Sequence, residues 1–404
     1  MGRAKGTDLT LLCLTGLLRS FATGLIGVIF GVFLFRSGHS SAEIGILTAA
    51  GLTGATIATA LITWGGDRYG RRHTLSVLAL LSIAGGAGLA FVSSFAGILV
   101  LVFAGMANAT GTDRSASYVL EQAVLPSLVT DRNRTWTFSW YHLILDAGGA
   151  AGALAAGLPV ALYRWQAIPI LTTYRLIFLG YAALGLICAL AYSLLSNRVE
   201  VATPGESKQH ISADSKRNVF RLARLFAIDS FGGGFLTDAV VAYWFFRRFG
   251  LSEAGLGALF FTIHILNAVS HLGAAWLAQR IGLLKTMVFT HLPSSVFLVA
   301  VPLAPNFTAA AALLLARESL VEMDVPTRQS YVTAVVKPHE RTFASGVTNL
   351  SRNAMWAAGS AVSGLLMQSV VFSAPLIAGG GIKIAYDVLL YRKFRHLKPP
   401  EEKG

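Results

Sequence analysis

The chain is 404 residues long, 54% hydrophobic and only 13% charged, with a mean hydropathy of +0.60, which excludes a soluble globular protein of this length. Its formal net charge of +13 suggests nucleic acid as a partner, but the placement of the charges argues against that.

Crossing about 30 Å of hydrocarbon takes roughly 20 apolar residues at 1.5 Å rise each. Twelve stretches meet that need: 9–36, 43–65, 74–94, 97–125, 134–162, 175–196, 218–247, 254–278, 286–304, 307–333, 342–370 and 373–394. All are too long and too rich in Gly, Ala and Leu for barrel strands. The fold class predicted is an all-α polytopic membrane protein of twelve transmembrane helices.

Span one carries Arg19. Span two ends in the turn Gly65-Gly66-Asp67-Arg68-Tyr69-Gly70-Arg71-Arg72. Cations in so short a connection stay on the cytoplasmic side, glycine permits a tight turn beside a helix end, and Asp67 can pair with an arginine or face a helix N-terminus. Span four holds Asp113, Arg114 and Glu121, and span five holds Asp146 followed by Gly148, Gly149, Gly152, Gly157 and Pro159. The polar stretch from Asn197 to Asn218 divides the spans six and six, giving an N-terminal half 1–196, a cytoplasmic linker 197–217 and a C-terminal half 218–404. Span seven carries Asp229, Asp238, Tyr243 and Trp244, and span eight carries His264 and His271. Span ten is the most charged, with Arg317, Glu318, Glu322, Asp324 and Arg328. Arg352 lies in span eleven, and Lys383 and Asp387 lie in span twelve.

Of the 33 Lys and Arg, Arg36, Arg164, Arg175, Arg247 and Arg248 fall on one side and six fall inside spans. The remaining 22 cluster on the other side. This asymmetry places both termini in the cytoplasm. A multi-pass chain of 404 residues with short tails is expected in a plasma (inner) membrane. Acidic lipid headgroups then account for the basic surface, with the bilayer as partner and no nucleic acid.

The halves echo each other. Glu121-Gln122 through Arg134-Thr135 aligns at an offset of 207 with Arg328-Gln329 through Arg341-Thr342, and Ser20-Phe21 is repeated as Ser230-Phe231. The turn after span two has a weaker copy, Gln279-Arg280-Ile281-Gly282-Leu283-Leu284-Lys285. Two pseudo-symmetric six-helix halves follow, and duplicated units of this kind commonly form a substrate site at their interface.

With twelve spans in two sixes, a central loop and Asp67-Arg68-x-Gly70-Arg71-Arg72 after span two, the whole chain resembles the major facilitator superfamily of secondary transporters. Thr63 stands where the family pattern begins with glycine. The resemblance implies a conformational latch made by Asp67, Arg68, Gly70, Arg71 and Arg72, and a central cavity lined by spans one, four, seven and ten. The glycine-rich run of span five resembles that of drug/proton antiporter-type exporters, although its central Gly-Pro pair is missing and small residues also serve close helix packing.

An ionisable group costs about 2.5–3.5 kcal/mol at a helix centre unless paired or wetted, and here such groups concentrate in the spans expected to line that cavity. On a continuous helix, Arg317, Asp324 and Arg328 fall on one stripe, and Arg114 and Glu121 fall on another. Pro326 marks a hinge in span ten. Arg19, Arg114, Glu121, Arg317, Glu322, Asp324, Arg328 and Tyr243 are the cavity residues expected. An Arg19–Asp229 pair and a Lys383–Asp387 pair are also expected, with Asp146 and Arg352 as a gating or packing pair. Asp238 is the leading proton-coupling residue, with Asp113, Glu318 and Asp229 as rivals, because a desolvated carboxylate can load and release a proton. Trp140, Tyr141, His142, Tyr243 and Trp244 offer rings to an organic substrate.

Two imidazoles without a nearby thiolate or carboxylate make a weak metal site, so no metal is expected. Cys13 and Cys188 read as small apolar residues, and no cleavable signal peptide precedes span one. There is no phosphate-cradling glycine-lysine loop or nucleophile motif, so no enzyme activity and no cofactor are expected. The function expected is proton-coupled efflux of a small organic solute by a monomer, with uptake symport or facilitation as the alternative and a non-transporting membrane sensor as a further one.

Overall fold

The computed structural model describes residues 2–129, 131–200, 212–334, 336 and 341–395; within these, some side chains, Asp67 and Arg68 among them, are not described. Most of the expected linker therefore lies outside the described residues. Among the described residues sixteen α-helices run in chain order: α1 (Gly2–Arg36), α2 (Ser41–Tyr69), α3 (Arg71–Leu89), α4 (Phe95–Ala104), α5 (Ala116–Leu128), α6 (Asp131–Leu154), α7 (Leu158–Gln166), α8 (Ile170–Ser193), α9 (Ala213–Gly234), α10 (Asp238–Phe249), α11 (Glu253–Ile281), α12 (Leu283–Ala300), α13 (Phe307–Val321), α14 (Asp324–Ala334), α15 (Arg341–Ser369) and α16 (Ala374–Phe394). Nine helices or paired helices among the described residues are long and apolar enough to cross a membrane.

Two compact units form. One comprises α1 to α8 with Thr237–His264, and the other comprises α9 through Leu236 with everything from Ile265 onward. In the first, α1 packs on α6, α8 and α10, and α3 packs on α8 and α4. Gly148 makes the α1–α6 approach close, since a Cβ there would stand 2.6 Å from the Leu17 carbonyl oxygen. The span-five glycines thus have a packing role within this unit. In the second, α9 packs on α15 and α16, and α12 packs on α16, α13 and α14. Phe226, Met287, Tyr331, Tyr386 and Phe394 form part of its buried core. Large apolar side chains such as Leu61 and Val100 remain 65% exposed, as expected of a surface meant for lipid chains.

Four expected spans are broken rather than continuous. Span four stops at Gly105 and resumes at Ala116, span five passes through a 3-10 turn at Ala155–Gly157, span seven breaks at 235–237 and span ten at 322–323. Local chemistry explains the first break. The Asn108 Oδ1 accepts from the Thr110 N–H at 3.0 Å and its hydroxyl at 2.6 Å, and Asn108 Nδ2 donates to the Thr112 carbonyl at 2.7 Å. Such side-chain bonds offer the backbone an alternative to the helix ladder. Gly111 then turns the chain at φ +83°. The helix restarts under an N-cap, as the Ser115 hydroxyl accepts from the Tyr118 N–H at 3.1 Å. Thr237 caps α10 in the same way, accepting from the Val240 N–H at 3.4 Å. In span ten the break precedes Pro326, which falls in the first turn of α14, where its missing N–H costs no helix bond.

Gly70 and Gly282 join α2 to α3 and α11 to α12 with φ of +83° and +88°. Thr74 and Thr286, each four residues on, donate their hydroxyls to these glycine carbonyls at 2.8 Å. The two turns that the sequence pairs are therefore alike in backbone as well as in residues. At the first, Glu200 covers the start of α3, accepting from the Arg71 N–H at 2.6 Å and the Arg72 N–H at 3.1 Å. The carboxylate thus satisfies otherwise orphan donors at a helix N-terminus. Arg71 and Arg72 donate to the carbonyls of Ala123 and Ser193.

Candidate functional site

In the first unit the charges converge on Arg19. Its Nε and Nη2 reach Asp113 Oδ2 at 3.1 and 3.0 Å, while Nη1 and Nη2 reach the two Glu121 oxygens at 2.5 and 2.9 Å. Glu121 is fully buried and also accepts from Thr15 at 2.8 Å, Tyr192 at 2.6 Å and Tyr141 at 2.5 Å. A forked guanidinium against two carboxylates, closed by three hydroxyls, makes a strong charge-assisted network. Asp113 Oδ1 also accepts from the Ser115 N–H at 3.0 Å, which ties the ion pair to the restart of span four. A cavity of about 50 Å³ lies beside it, lined by Arg19, Asp113, Asn108, Ser117, Tyr181 and Cys188 among others. At roughly 10–15 Å³ per water centre that is room for a few water molecules.

One sequence expectation is corrected here. Glu121 does not share a helical stripe with Arg114, because α5 begins only at Ala116. Within its own unit Arg19 pairs with Asp113 and Glu121.

Asp238 is the first residue of α10, and its Oδ2 lies 3.5 Å from His264 Nε2. Its carboxylate rests against Gly111, and the Ala239 N–H donates to the Ala109 carbonyl at 3.2 Å, so α10 is docked on the break in span four. Only glycine fits at Gly111, since a Cβ there would overlap the Asp238 carboxylate and the φ is positive. Tyr243, on α10, is buried with its hydroxyl 3.1 Å from Ser41 Oγ, and Trp244 is fully buried. At one end of α1, Arg36 donates to Glu253 at 3.0 and 2.7 Å and the Tyr174 hydroxyl donates to the same oxygen at 2.5 Å. Neither Glu253 nor Tyr174 was singled out by sequence reasoning. Each stands at the start of an apolar span, where it reads as a boundary residue.

In the second unit Asp229 is the hub. Lys383 Nζ donates to Asp229 Oδ1 at 2.8 Å, Arg328 Nη1 lies 3.9 Å from Oδ2, and His291 Nε2 lies 3.6 Å from Oδ1. Asp387 faces His291 Nδ1 at 3.0 Å through both oxygens, so the expected Lys383–Asp387 pair is replaced by two pairs to other helices. Arg328 also pairs with Asp324, and Arg317 pairs with its neighbour Glu318. The break at 322–323 separates Arg317 from the other two, so the stripe drawn through Arg317, Asp324 and Arg328 is not continuous. Asp229 and Asp238 likewise sit on different helices. Arg352 Nε donates to Ser230 Oγ at 3.2 Å. Glu322 lies half-buried in the break. His291 was missed because a single imidazole in an apolar span gives no pattern; Pro293 two residues on was the only signal.

The described residues hold no group of three or more potential metal-ligating side chains. What the arrangement offers instead is buried, paired charge beside broken helices. Among proteins of known sequence and structure, the model of the Major Facilitator Superfamily matches residues 12–321 and 240–404. The chain belongs to the Major Facilitator Superfamily. It is a multi-pass membrane transporter rather than an enzyme. The uncharacterized membrane protein YJR124C of Saccharomyces cerevisiae is 24% identical over 421 residues, covering 96% of this chain and 94% of its own. A bacterial homologue of the human lysosomal transporter Spinster, solved inward-facing and occupied, superimposes with TM-score 0.75 at 15% identity over 99% of both chains. The D-xylose-proton symporter does so with TM-score 0.73 at 14% identity, also over 99% of both. At these identities the structural likeness establishes the superfamily fold.

Proposed function

We propose that this superfamily member is a secondary active transporter that exports a small organic solute in exchange for protons by alternating access of two six-helix halves. The observation that carries the reading is Asp238, a carboxylate at the head of a broken transmembrane helix, 3.5 Å from His264 and packed on the break of span four. A carboxylate beside an imidazole can take up one proton to give a pair of zero net charge and release it to leave a single negative charge. Helix termini within discontinuous spans are where transporters of several folds hold ions and substrates.

In this reading Asp238 and His264 carry the proton, with Asp113, Glu318 and Asp229 as the lesser candidates, and Arg19, Arg114, Glu121, Arg317, Glu322, Asp324, Arg328 and Tyr243 serve the solute pathway. The Asp67–Arg72 turn acts as the latch, both termini are cytoplasmic, and the membrane is the plasma membrane. Export is favoured by the glycine run of span five.

The test is transport in proteoliposomes across an imposed pH gradient, with a panel of organic solutes. Flux opposite to the proton gradient, lost in Asp238→Asn, is the expected result. Flux along the gradient turns the reading to uptake symport, and indifference to the gradient overturns proton coupling.

A further inference from the structure

We propose that His291, in the second unit, is a buried proton-binding site whose Nε2 exchanges Lys383 for Asp229 as partner when the proton arrives. As a coupling residue it rests on the proton-coupled reading above; as a binding site it stands independently.

The geometry is that of a switch. Nε2 has a donor 3.3 Å away, the Lys383 ammonium, and an acceptor 3.6 Å away, Asp229 Oδ1, and those two groups are joined to each other at 2.8 Å. Nδ1 faces Asp387 at 3.0 Å in either state and donates to it. With the imidazole neutral, Nε2 accepts from Lys383. When a proton binds at Nε2 it becomes a donor, the Lys383 bond to it is lost, and the new N–H turns to Asp229 Oδ1. One proton is gained, no other group changes its protonation, and the tie among α9, α12 and α16 is rearranged.

Charge balance permits both states. Asp229, Asp324 and Asp387 supply three negative charges, and Lys383 and Arg328 supply two positive ones. With His291 neutral these groups sum to −1, and with it protonated they sum to zero, while Arg352 adds one positive charge at the edge through Ser230. Each state is thus within one charge of neutrality. A buried ion left unbalanced would lock the proton on or off. Lys383, Asp387 and Asp229 are the charged groups that reach the imidazole, Asp324 and Arg328 of α14 act through Asp229, and Arg317 and Glu318 of α13 pair with each other. Tyr386 sets its ring edge-on to His291 at 5.9 Å.

The helix is soft at this level. Pro293 removes a backbone donor from the interior of α12, and the His291 carbonyl takes hydroxyls from Ser294 at 2.7 Å and Ser295 at 3.0 Å. Such features let a helix bend where its side chain changes partner.

The experiment is nitrogen NMR of ring-labelled histidine in the full chain in lipid nanodiscs between pH 5 and 9, with the His291 signal assigned by its loss in His291→Gln. The expected result is a signal passing from the Nδ1–H form to the doubly protonated form. Its midpoint should fall by about one to three pH units in Asp387→Asn, which removes the anion, and rise in Lys383→Met, which removes a cation. The two displacements identify the signal even should His291→Gln fail to fold. A signal held in one protonation state, or one that neither variant displaces, overturns the proposal. A titrating His291 with no proton-driven flux in proteoliposomes leaves the site standing and removes coupling; driven flux with a silent His291 does the reverse.

Discussion

Arg19 aligns with Asp229 through the Ser20-Phe21 and Ser230-Phe231 echo, and Glu121 aligns with Arg328 at the offset of 207. In the first unit α1 brings the cation and α5 the anion, at 2.5 Å. In the second, α9 brings the anion and α14 the cation, at 3.9 Å. The aligned positions thus carry an ion pair in each unit with the signs exchanged. The surroundings differ more. Thr15, Tyr141 and Tyr192 close the first pair with neutral hydroxyls, whereas Lys383, His291 and Asp387 surround the second with groups that titrate or carry charge. The first cluster sets one cation between two carboxylates and neutral hydroxyls. In the switch proposed for His291, the second changes its charge and its partners.

The comparison has measurable consequences. The largest effect is expected for Asp229→Leu, which takes from Lys383 its carboxylate partner while Arg328 keeps Asp324, and should cost the second unit about 3–5 kcal/mol in a lipid-based unfolding assay. Glu121→Leu should cost less, about 2–3 kcal/mol, because Arg19 keeps Asp113. Equal losses would erase the distinction between a balanced and a redundant cluster. The double variant Arg19→Met with Glu121→Met should recover part of the single-variant losses, with a coupling of about 0.5–3 kcal/mol from the thermodynamic cycle. Gly111→Ala should destabilise the first unit by about 1–3 kcal/mol through a forced positive φ and displace Asp238, lowering pH-driven flux with it. Intact flux in a folded Gly111→Ala protein would separate Asp238 from the break of span four. The smallest effect belongs to Glu200→Gln, about 0.5–1 kcal/mol, since the amide can still accept from the α3 N-terminus; a loss as large as that of Glu121→Leu would mean the turn, not the buried pair, holds the first unit.

Much of the fold was legible because it follows from local quantities. Apolar length set the membrane-crossing segments, and Gly70 and Gly282 were visible as punctuation in the residues themselves. The breaks were harder to see. Asn108, Thr110 and Gly111 lie within an apolar run whose mean hydropathy hides them, and only their hydrogen bonds show that they end a helix. Once span four breaks, the register that joined Arg114 to Glu121 disappears. The same happens to Arg317 and Asp324.

The sequence by itself determined an all-helical membrane chain, the superfamily pattern and the concentration of charge in spans one, four, seven and ten. Hydrophobic length and the cost of burying an ion act on each segment alone. Only the tertiary structure decided which charges meet. Arg19 with Asp113 and Glu121, Lys383 with Asp229, and His291 with Asp387 are contacts between helices far apart in sequence, set by how the helices pack and where they break, and one-dimensional periodicity carries no information about a partner on another helix.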